Sequence, residues 1–196
     1  MDALLNKNQA EDPGIAVAGP RQIFDRYYQP GTPLARTLWI HACRVRDKAL
    51  AAAQYAGRLN PDSDFIAEAA LLHDIGIFKT NAVRIGCHGR EPYIRHGVIG
   101  RQILEKHGLP RHALVCERHV GVGLTIADIR TQNLPLPMRE MTPVSIEETV
   151  ICYADKFFSK STPDRELPLK AIVDELGRFG QDKVQLFLAW HEQFRG

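Results

Sequence analysis

The chain has 196 residues, of which 44% are hydrophobic and 24% are charged, and its formal net charge is +2. This composition is typical of one globular domain with a buried core, and no Lys/Arg block favours binding to a nucleic-acid polymer. The first residues lack the apolar run of a signal peptide and no stretch approaches the length of a membrane span, so we expect no membrane association. Four separated cysteines without a Cys-x-x-Cys pair indicate reduced thiols in a cytoplasmic protein.

Apolar residues recur at three- and four-residue steps along most of the chain, after a loosely ordered lead-in at residues 1–20. Turn signals divide this pattern: Asn60-Pro61 ends one helix, Gly108 ends another, and Ser145 with Glu148 forms a capping box that begins a third. Residues 78–93 and 131–143 are rich in Gly or Pro and are predicted to be loops, and no strand alternation is found. The sequence therefore predicts one all-α domain over residues 21–196. Its helices are expected near 21–28, 33–59, 62–76, 94–107, 110–119, 145–158, 169–176 and 181–194.

Several ionisable side chains lie on helix faces that are otherwise apolar. His41, for example, falls in the same stripe as Leu38 and Val45, and Asp155 follows Ile151 by one turn. A carboxylate buried without a partner is costly, so a shared metal ion, or a pair of ions, would explain the group best. A hydrogen-bonded polar cluster, or an outward orientation of several of these side chains, remains an alternative, because the residues come from separate helices rather than from one short motif. The six residues are His41, His73, Asp74, His96, His119 and Asp155.

The order of these residues resembles the H…HD…D signature of the HD superfamily of metal-dependent phosphohydrolases. His41, the pair His73-Asp74 and Asp155 match that signature, and residues 73–76 read His-Asp-Ile-Gly, the form that names the HDIG subgroup. His96 and His119 resemble the two additional histidines of the dinuclear members. The resemblance covers about residues 34–158, with a further similarity in the tail at 178–190. It implies an all-α HD-domain bundle whose metal site lies between the central helices.

The resemblance also implies the ligands of two metal ions. His41, His73, Asp74 and Asp155 would hold the first ion, and Asp74 would bridge to a second ion held by His96 and His119. Imidazole-rich sites suit transition metals, so Fe or Mn is favoured, with Zn, Co, Ni or Mg as alternatives. The implied function is hydrolysis of a phosphoester in a small phosphorylated molecule, such as a nucleotide, by metal-activated water. The oligomeric state is not predicted.

Basic residues near the signature are candidates for contacts with the phosphoryl group. We expect Lys79 and Lys156 to act beside Asp74 in catalysis; solvated surface charge is the alternative for Lys79, and Lys156 could equally face solvent. His88 is a candidate proton donor to the leaving group, with an exposed loop histidine as the alternative. Arg84, Arg90 and Arg95 are candidate substrate-binding residues, and solvated surface charge is the alternative for each of them.

Other functions are consistent with the same ligands. Some members of the superfamily are di-iron oxygenases with this ligand set, so the six residues alone do not separate hydrolysis from oxygenation. A mononuclear enzyme would use His96 and His119 to contact the substrate, and a non-catalytic regulatory module would bind metal without turnover. The Gly-Tyr-Pro element of the cyclic-dinucleotide phosphodiesterase subgroup is not found, since Glu91-Pro92-Tyr93 differs from it. No residue fixes the substrate.

Overall fold

The computed structural model describes residues 18–195, so most of the predicted lead-in at 1–20 lies outside the described residues. Within this range the fold is all-α, as predicted, and none of the helices is long and apolar enough to cross a membrane. The strands there form two short antiparallel hairpins, β1 (Asn81–Ala82) with β2 (Cys87–His88) and β3 (Phe158–Ser159) with β4 (Thr162–Glu166). The helices are α1 (Pro20–Tyr27), α2 (Pro33–Tyr55), α3 (Ser63–Leu72), α4 (His96–Lys106), α5 (Pro110–Arg118), α6 (Ile126–Thr131), α7 (Ile146–Asp155), α8 (Leu169–Leu176) and α9 (Gln181–Phe194).

Three helices end earlier than the apolar pattern predicts. α2 stops at Tyr55 and a 3-10 turn follows at Gly57–Leu59, and α3 stops at Leu72 before a 3-10 turn at Ile75–Lys79. α7 stops at Asp155 because hairpin β3–β4 begins three residues later. Buried apolar residues continue through both the turn at Ile75–Lys79 and the start of the hairpin, so periodicity alone extends the helices too far.

Helix α6 and both hairpins were not predicted. Thr125 caps α6 through a capping box, in which its hydroxyl accepts from Asp128 N at 3.0 Å and Asp128 accepts from Thr125 N at 2.8 Å. That Thr-x-x-Asp spacing is the signal that could have located the helix. β4 is mostly exposed along its length, so it shows no alternation of apolar and polar residues.

The core consists of two large apolar clusters that meet along α2. Leu38 packs in the cluster formed with α1, α4 and α5, whereas Val45 packs in the cluster formed with α3, α7 and α9. His41 lies between them and is completely buried. The imidazole of His41 therefore lies at the junction of the two clusters, where the surrounding packing fixes its orientation.

A close backbone approach joins the turn after α3 to the first turn of α4. A Cβ atom built on Gly76 would lie 2.2 Å from the carbonyl oxygen of His96 and 2.5 Å from Gly100 N. Only glycine fits such a contact. The approach brings Asp74, at the end of α3, near His96, at the start of α4.

Candidate metal centre

Six side chains converge at the junction of the two clusters and form two groups that share Asp74. In the first group, His41 Nε2 lies 3.0 Å from Asp155 Oδ1, and His73 Nε2 lies 3.2 Å from Asp74 Oδ2. The two Nε2 atoms are 3.3 Å apart. In the second group, the Nε2 atoms of His96 and His119 each lie 3.5 Å from Asp74 Oδ1. Asp74 thus directs one oxygen to each group, and the structure brings together all six residues singled out in the sequence.

Helix C-termini place half of these side chains. His73 directly follows α3, His119 directly follows α5, and Asp155 is the last residue of α7. The aligned peptide dipoles of a helix leave partial negative charge at its C-terminus. Three such ends meeting at one point favour a cation there, in addition to the charge of the carboxylates.

Backbone hydrogen bonds orient three of the imidazole rings. In each ring Nδ1–H donates to the carbonyl oxygen three residues earlier, which directs Nε2 into the site. His41 has no such bond, because its Nδ1 lacks a hydrogen-bond partner. The three bonds join His73 to Ala70 at 2.7 Å, His96 to Tyr93 at 2.7 Å and His119 to Cys116 at 2.8 Å.

The site fits a divalent metal by an independent observation. Both carboxylate oxygens of Asp74 and Oδ1 of Asp155 are buried, and none accepts a hydrogen bond of proper geometry. Buried acceptors without partners are costly, so the structure calls for a cation between them. Donor atoms about 2.1 Å from one ion would be about 3.0–3.4 Å apart, close to the separations found within the first group.

The electrostatics of the site keep its carboxylates ionised. Burial alone raises the pKa values of Asp74 and Asp155, but Lys160 and the neighbouring histidines outweigh it and hold both pKa values well below their usual range. Burial likewise lowers the pKa of His73, but Asp74 and Asp155 outweigh it and raise this pKa to about 10. Burial lowers the pKa of His96 to about 3, so that ring is neutral. Two ionised carboxylates lie in the first group, and their negative charge favours a cation there.

Lys160 is a site residue that sequence reasoning missed. Its Nζ lies 2.8 Å from Asp74 Oδ2 and 3.7 Å from Asp155 Oδ1. It belongs to the turn between β3 and β4. Because that hairpin was not predicted, no pattern in the sequence directed this lysine toward the carboxylates.

Tyr28 is a second residue that was not predicted, and it holds the turn that presents Asp74. Its hydroxyl donates a bifurcated hydrogen bond to the carbonyl oxygens of Asp74, at 3.2 Å, and Ile75, at 3.1 Å. The same hydroxyl accepts from Phe78 N at 3.1 Å. The side chain is buried, so these bonds are shielded from water and fix the turn after α3.

A cavity of about 780 Å³ borders the site. His96, His119 and Asp155 line it, together with Lys160. Its other basic residues include Lys156 and Lys183, which pair with acidic residues. Apolar residues form much of the remaining wall, including Leu124, Leu134, Phe158, Leu167, Leu176 and Phe179.

The candidate substrate-binding residues fall into two sets. Arg84 and Lys156 line the cavity, and Lys156 Nζ pairs with Glu175 at 3.2 Å. The others are not among the described residues that line it, because the segment predicted as a loop folds into hairpin β1–β2 and places residues 81–85 and Tyr93 there instead. Arg95, for instance, pairs with Glu91 at 3.1 Å instead. This second set comprises Lys79, His88, Arg90 and Arg95.

The family profile of the HD domain matches residues 38–159, a span that contains all six converging residues. This chain belongs to the HD domain family. The resemblance found in the sequence is thereby confirmed, and the helical fold agrees with it.

Three relatives of this HD-domain chain extend the comparison. A tRNA (cytidine(56)-2'-O)-methyltransferase of Picrophilus torridus is 36% identical over 115 residues, which cover 58% of this chain and 29% of the relative. A protein of the same name from Thermoplasma volcanium is 31% identical over 154 residues, or 78% of this chain and 40% of the relative. An uncharacterized protein of Methanocaldococcus jannaschii is 33% identical over 145 residues, covering 68% of this chain and 78% of the relative. The chain thus spans less than half the length of the two methyltransferases.

One solved structure has a distant likeness to the HD-domain chain. It is the HD domain of the L. monocytogenes phosphodiesterase PgpH in complex with cyclic-di-AMP, with a TM-score of 0.46 and 16% sequence identity. The match covers 83% of this chain and 96% of the other.

Proposed function

We propose that this HD-domain protein is a metal-dependent phosphohydrolase that cleaves a phosphoester bond in a small phosphorylated molecule. The observation that carries the proposal is the shared carboxylate, since Asp74 directs Oδ2 to His41 and His73 and Oδ1 to His96 and His119. Two donor groups joined by one carboxylate are the arrangement of two-metal hydrolytic sites.

Each group has its own role in this proposal. His41, His73 and Asp155 would hold a first ion with Asp74, and His96 and His119 would hold a second. Ions bound in this way would lower the pKa of a water molecule for attack on phosphorus and neutralise charge on the phosphoryl oxygens. Four imidazoles among six ligands favour Fe or Mn, with Zn, Co, Ni and Mg as alternatives.

The cavity supports a substrate that combines an anionic group with an apolar organic part. Its volume of about 780 Å³ suits a small molecule. Lys160 lies beside the ligands, whereas Lys183 is neutralised by Asp128. Apolar walls such as Phe158 and Leu134 would receive a base or another organic group. A nucleotide fits this description, and the two relatives named as tRNA methyltransferases are a reason to test ribonucleotides.

Several residues of the chain would act on the substrate without holding a metal. Lys160 would contact a phosphoryl oxygen from the β3–β4 turn, and Arg84 and Lys156 would contribute positive charge from the cavity wall. The apolar wall would exclude water from the organic part. His88, the predicted proton donor to the leaving group, does not line the cavity among the described residues.

Phosphate release tests the proposal. Protein loaded with Mn or Fe would be incubated with phosphomonoesters, nucleotides including ribonucleotides, and activated phosphodiesters, and compared with Asp74→Asn. The substitution keeps the shape of the side chain but removes the charge that both groups share, so we expect at least ~100-fold lower turnover. Asp174→Asn is the matched control, because that exposed carboxylate pairs only with Lys170 on the surface of α8. Bound metal with no phosphate released from any member of the panel would reject the proposal.

A further inference from the structure

The ammonium of Lys160 occupies an unusual position, because it contacts the carboxylate that both donor groups share. Its Nζ lies 2.8 Å from Asp74 Oδ2, and its side chain is only 14% exposed. The same oxygen lies 3.3 Å from His41 Nε2 and 3.2 Å from His73 Nε2. The oxygen that faces the first donor group is therefore also the oxygen that holds the lysine.

An ammonium and a divalent ion at one buried oxygen repel each other. Water is largely excluded here, since Asp74 and the histidines around it are buried, so this repulsion is weakly screened. A cation bound between His41, His73 and Asp155 would also satisfy the negative charge that now attracts Lys160. Metal binding should therefore weaken the hold of Asp74 on the lysine.

The ammonium of Lys160 has a second position available, in the cavity. Lys160 lines the cavity, so a rotation of its flexible stem can carry the ammonium away from Asp74 and toward a bound anion. Its contact with Asp74 lacks hydrogen-bond geometry, since Asp74 Oδ2 has no hydrogen-bond partner. By contrast, Lys156 is held by Glu175 and Lys183 by Asp128, and neither touches the shared carboxylate.

We propose that Lys160 couples metal binding to phosphate binding: it balances Asp74 and Asp155 before the first metal binds, and is then released to hold a phosphoryl oxygen of the substrate. The proposal rests on the proposed function for the identity of the anion. It makes two predictions about binding that do not depend on turnover. The lysine should oppose metal binding when no anion is present, and phosphate should relieve that opposition. By linkage, bound metal should strengthen phosphate binding by the same factor.

The test is the affinity for Mn²⁺, measured by equilibrium dialysis with metal analysis, with and without inorganic phosphate. Lys160→Met removes the competing charge, so we expect Mn²⁺ to bind roughly 10-fold to 100-fold more tightly than in the wild type. Phosphate should clearly tighten Mn²⁺ binding in the wild type. In Lys160→Met the factor by which phosphate tightens Mn²⁺ binding should be roughly 10-fold smaller. The remaining effect would come from direct contact between metal and phosphate. Lys160→Arg retains the charge and should behave like the wild type.

Lys170→Met is the control, because it removes an exposed lysine that pairs with Asp174 on α8 and is not among the described residues that line the cavity. Its Mn²⁺ affinity should stay within about twofold of the wild type. Weaker Mn²⁺ binding by Lys160→Met, or an equal effect of phosphate on both proteins, would overturn the proposal. Should Lys160→Met prove too unstable, Lys160→Gln takes its place, since it also removes the charge and should show the same tighter Mn²⁺ binding and the same smaller effect of phosphate. Failure of phosphoester hydrolysis with these binding results intact would reject the hydrolase function and leave the coupling in place.

Discussion

Gly76 packs against His96 so closely that a Cβ atom on Gly76 would lie 2.2 Å from the His96 carbonyl oxygen. The contact holds the turn after α3 against the first turn of α4. It therefore sets the distance between Asp74, which precedes Gly76 by two residues, and the His96 ring. The distance between Asp74 and His96 therefore depends on the absence of a side chain at Gly76.

Gly76→Ala should separate these two elements and destabilise the protein. The methyl group would meet backbone atoms, which cannot rotate away, so we expect a loss of at least about 1–3 kcal/mol in the free energy of unfolding. Urea denaturation would measure it. Gly57→Ala is the control, because nothing lies within 4 Å of a Cβ at that position, and it should change stability little. Equal stability of the two variants would show that the close approach is not as the structure describes.

Tyr28→Phe should loosen the turn that presents Asp74. Loss of the hydroxyl leaves two carbonyl oxygens and Phe78 N without their buried partner, at a cost of about 1–3 kcal/mol. We also expect roughly 10-fold weaker Mn²⁺ binding, because the turn positions a ligand. Tyr27→Phe is the matched control, since the hydroxyl of Tyr27 bonds to His107, outside the site. Unfolding curves and Mn²⁺ dialysis on both variants check the prediction, and unchanged metal affinity in Tyr28→Phe would refute it.

Glu117→Gln should destabilise the region around α5. Glu117 is only 1% exposed at its side chain and receives hydrogen bonds from Arg101 and Arg139. Removing the carboxylate leaves two cations without their buried partner, and since both arginines are partly exposed to water we expect a loss of about 1–3 kcal/mol. Glu105→Gln removes a surface carboxylate that also pairs with Arg101 and should cost much less. Chemical denaturation should give a clearly larger loss in the free energy of unfolding for Glu117→Gln than for Glu105→Gln. Similar losses would contradict the inference that the two arginines depend on the buried carboxylate of Glu117.

Asp128→Asn should destabilise the protein more at neutral pH than in acid. Burial alone raises the pKa of Asp128, yet the Lys183 ammonium and the Thr125 hydrogen bonds outweigh it and lower this pKa below its usual value. A carboxyl with a lowered pKa stabilises the fold above its unfolded pKa of about 3.9, and that contribution is lost as the pH falls through the folded value. Thermal unfolding at pH 7 and near pH 3 would show the difference between variant and wild type shrinking in acid. Asp182→Asn, at an exposed position, serves as the control. A difference that is equal at both pH values would contradict this account.

The sequence predicted the helices and the converging residues for the same physical reason. A polar side chain on an apolar helix face has to be buried, so the periodicity that located α2 also singled out His41, and the same holds for Asp155 on α7. Burial limits where such residues can lie, since unpaired ions are excluded from the core. Their function as metal ligands stays a prediction that the geometry supports.

The remaining parts of the site could not be predicted from periodicity. Lys160 comes from a hairpin whose second strand is mostly exposed, so no alternation indicated the hairpin or the direction of the lysine. Lys79 and His88 are near the HDIG residues in sequence, but hairpin β1–β2 fixes which side chains face the cavity. The hydrogen bond from the Tyr28 hydroxyl to the carbonyl oxygen of Asp74 joins residues more than forty positions apart. Such contacts depend on tertiary packing rather than on a local sequence pattern.

The central claim is that the shared carboxylate serves hydrolysis rather than oxygen chemistry, and one comparison tests it most directly. Iron-loaded and manganese-loaded protein would be assayed on the phosphoester panel in air and under strict anaerobic conditions, with phosphate release and oxygen consumption recorded together. Hydrolysis uses water and no oxygen, so for each metal phosphate should be released at the same rate in air and under anaerobic conditions. Oxygen consumption by the iron-loaded protein, with no phosphate released, would contradict the account and favour the di-iron oxygenase alternative.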